Sequence, residues 1–157
     1  MREILFRGKR VDGGEWIYGH YVHQYGANMI YLPDGTDREY GFDCYHIIPE
    51  TVGQYTGLTD KNGKKIFEGD ILEVDVQEYE ETPKEEWYFC PKKVYTGRKI
   101  KALWSVEYKE HRCRGNGFYV YGKDRRFNTT LTQSTIFNSN PVVIGNIHDN
   151  PELMKGK

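Results

Sequence analysis

The sequence has few cysteines, no long apolar run and no extended helical period. Its three cysteines, Cys44, Cys90 and Cys113, are an odd number without Cys-x-x-Cys spacing, which favours reduced thiols over a disulfide framework. No run approaches the ~20 apolar residues of a membrane span. The first residues lack the apolar stretch of a secretory signal. We therefore expect a cytoplasmic protein that does not bind membranes.

The chain also has little net charge. Its 22 Lys and Arg residues nearly balance its 23 Asp and Glu residues, for a formal net charge of −1. Long-range attraction to nucleic acid or to an anionic membrane is therefore not a property of the whole protein. A chain of 157 residues can bury a stable core without a metal or a disulfide, so none is required for folding.

Tight turns and aromatic residues dominate the composition. The chain has 17 Gly and 13 Tyr, which favour short strands joined by turns. Turn signals occur at 12–14, 33–35, 60–63 and 114–117, each rich in Gly, Asp, Asn or Pro. A 3.6-residue apolar period never lasts more than about two turns. The sequence therefore predicts an all-β fold of short-stranded meander and hairpins, with few short helices.

We expect two regions that form one cooperative unit. Residues 1–50 form an N-terminal β-hairpin and meander region. Residues 51–157 form a region with a small SH3-like barrel, which the bend at 68–70 between two strands indicates, and with a charged insertion at 77–101. A short strand is expected at Ile136-Phe137, and a helical turn at 150–154, where Pro151 can occupy the first position.

Three stretches of the sequence follow a known pattern: residues 54–63 followed by 66–71, residues 5–10 with 14–19, and residues 143–153. They resemble the YopX-like family of proteins, which bacteriophages and prophages mostly encode. The central segment contains the family-motif turn, whose residues are Asp60, Asn62, Gly63, Glu68, Gly69 and Asp70. The resemblance implies a β-rich fold, a phage or prophage origin and a location in the cytoplasm of a bacterial host. It implies no established activity, so no catalytic residue is carried over.

Charge is distributed unevenly along the chain. Residues 68–86 hold nine carboxylates against one lysine, a balance of −8, and residues 92–126 have a balance of +8. One interpretation is that the two segments neutralise each other, within one chain or between subunits. The alternative is that basic side chains bind nucleic acid phosphates beside stacking surfaces on Tyr119 and Tyr121. Those basic residues are Arg112, Arg114, Lys123, Arg125 and Arg126. Overall neutrality favours the first interpretation.

The candidates for a metal site are incomplete. His20 and His23 point to opposite faces of a strand, and His111 with Cys113 supplies too few ligands at zinc spacing. We therefore expect no metal and no cofactor.

A carboxylate site is the corresponding hypothesis for an enzyme. Glu68 and Asp70 would share a face of a regular strand, and Asp149 would join them if the closing strand lies alongside. Carboxylates at a glycine-containing bend more often bind backbone N–H groups, so we expect no catalytic residue.

The first functional hypothesis is therefore a protein-interaction or assembly module, with 77–101 as its contact arm. It would be a homo-oligomer or would bind an unidentified protein partner. A nucleic-acid-binding module is the second hypothesis, and an enzyme is the third.

Overall fold

Two antiparallel sheets and one short α-helix make up the described part of the fold. The computed structural model describes residues 3–32, 43–81, 93–110, 115–122 and 128–155. The six-stranded sheet has the order β4-β3-β2-β1-β5-β6, and the five-stranded sheet has the order β10-β9-β8-β7-β11. The strands are β1 (Phe6–Lys9), β2 (Trp16–Gln24), β3 (Ala27–Tyr31), β4 (Cys44–His46), β5 (Gly53–Thr59), β6 (Lys65–Phe67), β7 (Asp70–Glu81), β8 (Lys93–Lys109), β9 (Gly117–Gly122), β10 (Asn128–Thr130) and β11 (Val142–Asn146). Helix α1 spans Gln133–Ser139, and short 3₁₀ turns occupy Pro49–Thr51 and Pro151–Leu153. The predicted all-β fold with few short helices is confirmed.

The six-stranded sheet crosses the expected boundary at residue 50. Its β1 strand pairs with β2 on one side and with β5 on the other. The segments on both sides of the boundary therefore share one sheet. Strand β2 also approaches its neighbours closely, because a Cβ atom at Gly19 would collide with the carbonyl oxygen of Tyr31. Only glycine fits at that position.

The hydrophobic core lies on one face of the five-stranded sheet. Alternate residues of β7 and β8 point into it, as the two-residue period of a strand requires. Its buried members are Ile66, Leu72, Val74, Val76, Trp104, Val106, Phe118, Val120, Leu131 and Val143. Ile66 comes from β6 of the other sheet, so the core joins the two sheets. Leu58 and Ile136 pack against it from β5 and α1.

Three local expectations met different outcomes. Gly63 has a φ of 82°, as the predicted turn requires, and Pro151 begins a 3₁₀ turn as expected. The expected strand at Ile136-Phe137 is wrong, because these residues belong to α1. The side chain of Thr132 accepts a hydrogen bond from Thr135 N at the start of this helix, and Asn140 ends it in the left-handed conformation.

The described strands form no closed barrel. The expected SH3-like barrel is therefore not found in this part of the chain. Instead, strand β6 ends at Phe67, and β7 leaves the following bend to join the second sheet. Much of the expected insertion at 77–101 belongs to the β7–β8 hairpin, whose register continues from Ile71↔Ser105 to Glu81↔Lys93. The remaining part, 82–92, lies outside the described residues.

The β2–β3 hairpin turn supports a prediction about stability. Tyr25 has a φ of 51° and is 97% exposed, and Gly26 follows with a φ of 78°. Two-residue turns of this kind favour Asn-Gly, because asparagine tolerates the left-handed region. We expect Tyr25→Asn to stabilise the fold by about 0.5–1 kcal/mol in urea denaturation. Tyr25→Ala is the control, because alanine removes the ring but does not lower the cost of the left-handed backbone conformation. Loss of stability in Tyr25→Asn would contradict this account.

Candidate functional site

The family-motif turn holds separate parts of the chain together through its carboxylates. Asp60, which is buried, accepts hydrogen bonds from the backbone of its own turn, from Asn62 N at 2.8 Å and Lys64 N at 2.9 Å. Its second oxygen accepts one from Val143 N of β11 at 3.1 Å. Burial alone would raise the pKa of Asp60, but these N–H donors outweigh burial and lower it. Asp60 therefore joins the turn to the closing strand.

Asp70 forms a buried ion pair with Arg7. Arg7 Nη1 lies 2.6 Å from Asp70 Oδ1, and the two residues are 6% and 1% exposed. The other carboxylate oxygen accepts a hydrogen bond from Phe67 N at 2.8 Å. Arg7 Nη2 donates to the carbonyl oxygen of Glu68 at 3.0 Å. Burial raises the pKa of the Asp70 carboxyl, against the opposing effects of Arg7 and the Phe67 N–H.

The side chain of Glu68 binds a third element. Its Oε1 accepts a hydrogen bond from Tyr108 N of β8 at 3.2 Å. The neighbouring Gly69 donates from its backbone to the carbonyl of Val106 and accepts from Ile147 N. The bend at 68–70 therefore contacts β1, β8 and the segment after β11. We call Arg7, Glu68 and Asp70 the sheet junction.

Asp149 lies beside the sheet junction but binds different donors. Its carboxylate accepts hydrogen bonds from Trp16 Nε1 at 2.7 Å and Asn146 Nδ2 at 2.8 Å, and it forms an ion pair with Lys9. Although partial burial opposes ionisation, these donors lower the pKa of Asp149 to about 2. The Arg7 guanidinium lies 4.7 Å from the centre of the Trp16 ring, so it contacts the residue that holds Asp149.

The three carboxylates of the enzyme hypothesis have separate structural partners. Strand β11 does lie alongside β7, with Asn146 opposite Asp70, as that hypothesis required. However, Glu68 binds the backbone of β8, Asp70 pairs with Arg7, and Asp149 binds Trp16 and Lys9. All three serve as acceptors for groups of the protein itself. The geometry gives no support for acid–base catalysis by this trio, and the expected lack of activity stays a prediction.

The histidines do not form a metal site in the described part of the chain. No group of three or more His, Cys, Asp and Glu side chains among the described residues is arranged to hold a metal ion. His23 Nδ1 lies 3.0 Å from the side-chain oxygen of Asn28. His111 and Cys113 lie outside the described residues.

The basic residues of the nucleic-acid hypothesis lie outside the described residues. They are Arg112, Arg114, Lys123, Arg125 and Arg126. Tyr119 is 2% exposed and presents no ring surface to a base, while Tyr121 is half-buried. The hypothesis stays a prediction.

The acidic and basic segments face each other across the β7–β8 hairpin. Lys101 Nζ lies 2.9 Å from Asp75 and 3.3 Å from Glu73. At the far end of the described hairpin, the register also places Glu81 opposite Lys93. Exposed pairs of this kind add little stability, but opposite charges across a hairpin favour its register. Neutralisation within one chain therefore accounts for these pairs.

The far end of this hairpin extends beyond the five-stranded sheet. Strand β11 pairs with β7 at 70–73, and β9 pairs with β8 at 104–109. We call residues 76–81 and 93–100 the arm; no further described strand pairs with it. Each residue from 94 to 100 is exposed, including Val94 at 50%, Tyr95 at 60% and Ile100 at 42%.

The fold and the sheet junction define an all-β protein of two antiparallel sheets with a projecting hairpin. A family model described as "YopX protein" matches residues 5–155, and the chain belongs to the YopX family. The crystal structure of protein EF1440 from Enterococcus faecalis is similar, with a TM-score of 0.51 and 23% sequence identity, covering 99% of this chain and 100% of that one. This similarity shows the shared fold.

No curated protein matches the chain. In the described residues, no helix is long and apolar enough to cross a membrane.

Sequence reasoning did not identify Arg7 as the partner of Asp70. The sequence did contain one indication of this role. Arg7 lies in a strand-like run between the apolar Phe6 and the small Gly8, and a basic side chain is unusual on the buried face of a strand. Nor did sequence reasoning identify Trp16, whose indole N–H donates to Asp149.

Breaking the Arg7–Asp70 pair from one side is expected to destabilise the fold. Asp70→Asn keeps an acceptor for Phe67 N but leaves the Arg7 guanidinium buried without a counter-charge, at a cost of about 3 kcal/mol. The double variant Arg7→Met with Asp70→Asn removes that charge and should recover most of the loss. Urea denaturation of the wild type, both single variants and the double variant measures the coupling. A double variant no more stable than Asp70→Asn would contradict the ion-pair account.

The contribution of Asp149 should depend on pH. Its pKa is lowered in the folded state, so its ionised form stabilises the fold above the ordinary pKa of 3.8. This contribution is lost as the pH falls from about 4 towards about 2. We therefore expect the stability margin of the wild type over Asp149→Asn to shrink across that range in chemical denaturation. Glu152→Gln removes the same charge from the nearby 3₁₀ turn and is the control. A stability difference between the wild type and Asp149→Asn that does not change with pH would contradict this account.

Proposed function

We propose that this YopX-family chain is a non-catalytic assembly module that binds a protein partner through the arm. The partner in this proposal is a second copy of the chain, which makes the protein a homo-oligomer. The phage or prophage origin and the bacterial cytoplasm that the family resemblance implies are the setting we propose for it.

The observation that carries this proposal is the exposure of the arm. A two-stranded hairpin is marginally stable in water by itself, so its projection from the sheet needs support from elsewhere. Val94, Tyr95 and Ile100 nevertheless display apolar surface there. Burial against a partner would remove that surface from water at roughly 25 cal/mol per Å². A projecting, partly apolar hairpin is therefore better suited to binding a partner than to stabilising the core of its own chain.

The edges of the arm resist indiscriminate strand pairing. Arg98 and Lys99 are exposed on β8, and Gly97, with a φ of 79°, lies where the β7–β8 register shifts. Charged residues and bulges at an edge hinder pairing with an added strand. These features favour a specific contact through a face of the arm over open-ended aggregation.

Shortening the arm tests this function. We would replace residues 77–99 with Asn-Gly, so that the paired residues Val76 and Ile100 are joined by a two-residue turn. The wild type should show a mass above the 18.5 kDa of one chain in light scattering at micromolar concentration, and the shortened variant should show the single-chain mass. Circular dichroism checks that the shortened variant is folded.

A wild type that remains a single chain at all accessible concentrations would overturn the proposal. The same measurement with a mixed-sequence oligonucleotide, at low and moderate salt, addresses the second hypothesis. A salt-sensitive increase in mass with the oligonucleotide would instead favour a nucleic-acid interface.

A further inference from the structure

One face of the arm continues the face of the sheet that forms the core. Val76 is directly opposite Ile100, and it lies on the same face as Leu72 and Val74 in the core. The register shifts between 77 and 79, where the extra residues belong to β8, so position 80 stays in phase with Val76 along β7; it pairs with Val94. Val94 and Ile100 therefore belong to the core face of the hairpin, but they lie beyond the core and are exposed.

Helix α1 presents an exposed phenylalanine on the same side of the sheet. Its Ile136 packs against the core, whereas the next residue, Phe137, is 84% exposed. The helix ends at Asn140, whose side chain lies near enough to Asp75, close to the base of the arm, to help lower the pKa of that carboxyl. Phe137, Val94 and Ile100 thus form three exposed apolar positions on the helix side of the sheet. The arm does not cover the helix of its own chain.

We propose that two copies of the chain clasp each other, the arm of each lying across α1 of the other. Val94 and Ile100 of one copy would contact Phe137 of the second copy. A twofold axis makes the two arm–helix contacts equivalent, as in isologous dimers generally. This inference rests on the proposed function, because it specifies the partner surface that the arm binds.

Charge favours contact between arm and helix over contact between two arms. Glu78 lies on the helix-side face of the arm, in phase with Val76. Stacking two arms through that face would bring Glu78 of one copy towards Glu78 of the other. Helix α1, with the sequence QSTIFNS, contains no charged residue and brings no like charge to Glu78. The uncharged helix is therefore the better match for this face.

Pairing between arm edges is disfavoured for two reasons. Symmetric pairing would place β8 beside β8, with Arg98, Lys99 and Lys101 near their own copies, or β7 beside β7, with its carboxylates together. Like charges on adjacent strands are destabilising. Pairing β7 with β8 of the next copy would displace successive chains by roughly 10 Å, whereas a five-stranded sheet is about 25 Å wide. The bodies of the chains would collide.

The size of the contact implies a weak dimer. The described arm extends about 20 Å beyond Val76 and is about 10 Å wide. Two such contacts bury less than the ~1,200 Å² of a standard interface. We therefore expect dissociation in the micromolar range, measurable by sedimentation equilibrium.

Two matched pairs of variants test the clasp. Ile100→Glu and Phe137→Glu each place a carboxylate inside the proposed contact, and each should weaken dimerisation at least tenfold. Gln77→Glu, on the other face of the arm, and Asn138→Glu, which follows Phe137 but lies on a different face of α1, add the same charge outside it. These two controls should dimerise as the wild type does. Thermal unfolding checks that all four variants are folded.

Mixing the two defective variants gives a more specific test. In a mixed dimer, the unaltered arm of the Phe137→Glu chain would meet the unaltered helix of the Ile100→Glu chain. One of the two contacts is then intact, so the mixture should dimerise more strongly than either variant alone. General damage to folding would not produce this recovery.

The other outcomes separate this inference from the proposed function. If Phe137→Glu dimerises normally while Ile100→Glu does not, two arms contact each other and the clasp is wrong. If both variants dimerise normally but the shortened arm abolishes association, the arm binds through other residues and the clasp is also wrong. A wild type that is always a single chain would overturn both the clasp and the function on which it rests.

Discussion

A buried guanidinium is the constraint on which much of the structure depends. Arg7 lies inside the protein, where an unpaired charge would be very costly, so its neighbours must supply acceptors. Asp70 supplies a carboxylate, and the carbonyl of Glu68 supplies another oxygen. The rings of Phe67 and Trp16 lie within about 5 Å of the guanidinium carbon. Pairing this one cation fixes β1 against the bend that begins β7.

This arrangement gives the family motif a structural meaning. Asp60, Glu68 and Asp70 bind backbone or side-chain donors on β11, β8 and β1 respectively. Each carboxylate therefore fastens a different strand to the same short segment. Such residues would be retained for the fold alone, so their presence in a motif is not by itself evidence of catalysis. Function must then be sought on surfaces outside the motif, such as the arm.

The sequence predicted the local structure better than the long-range contacts. Turn chemistry located Asn62-Gly63 and Pro151, because backbone geometry there depends on the residues themselves. The pairing of Arg7 with Asp70 joins positions far apart in the chain, and no local pattern encodes it. Ile136-Phe137 was misassigned because two apolar residues fit a strand or a helix equally well, and the Thr132 cap decided between them. At 77–101, charge obscured the alternation that marks a strand, so the pairing of 77–81 with 93–99 was not predicted.

The interdependence of distant segments has a consequence for synthesis on the ribosome. The β7–β8 hairpin is local, and it can form as soon as both strands have emerged. The contact of Asp60 with Val143 spans 83 residues, and that of Trp16 with Asp149 spans 133. Until β11 emerges, β7 has an open edge beside hydrophobic residues, which is an aggregation hazard for a nascent chain. Strand β11 closes that edge when it emerges, so protection of the sheet waits for a segment far along the chain from β7.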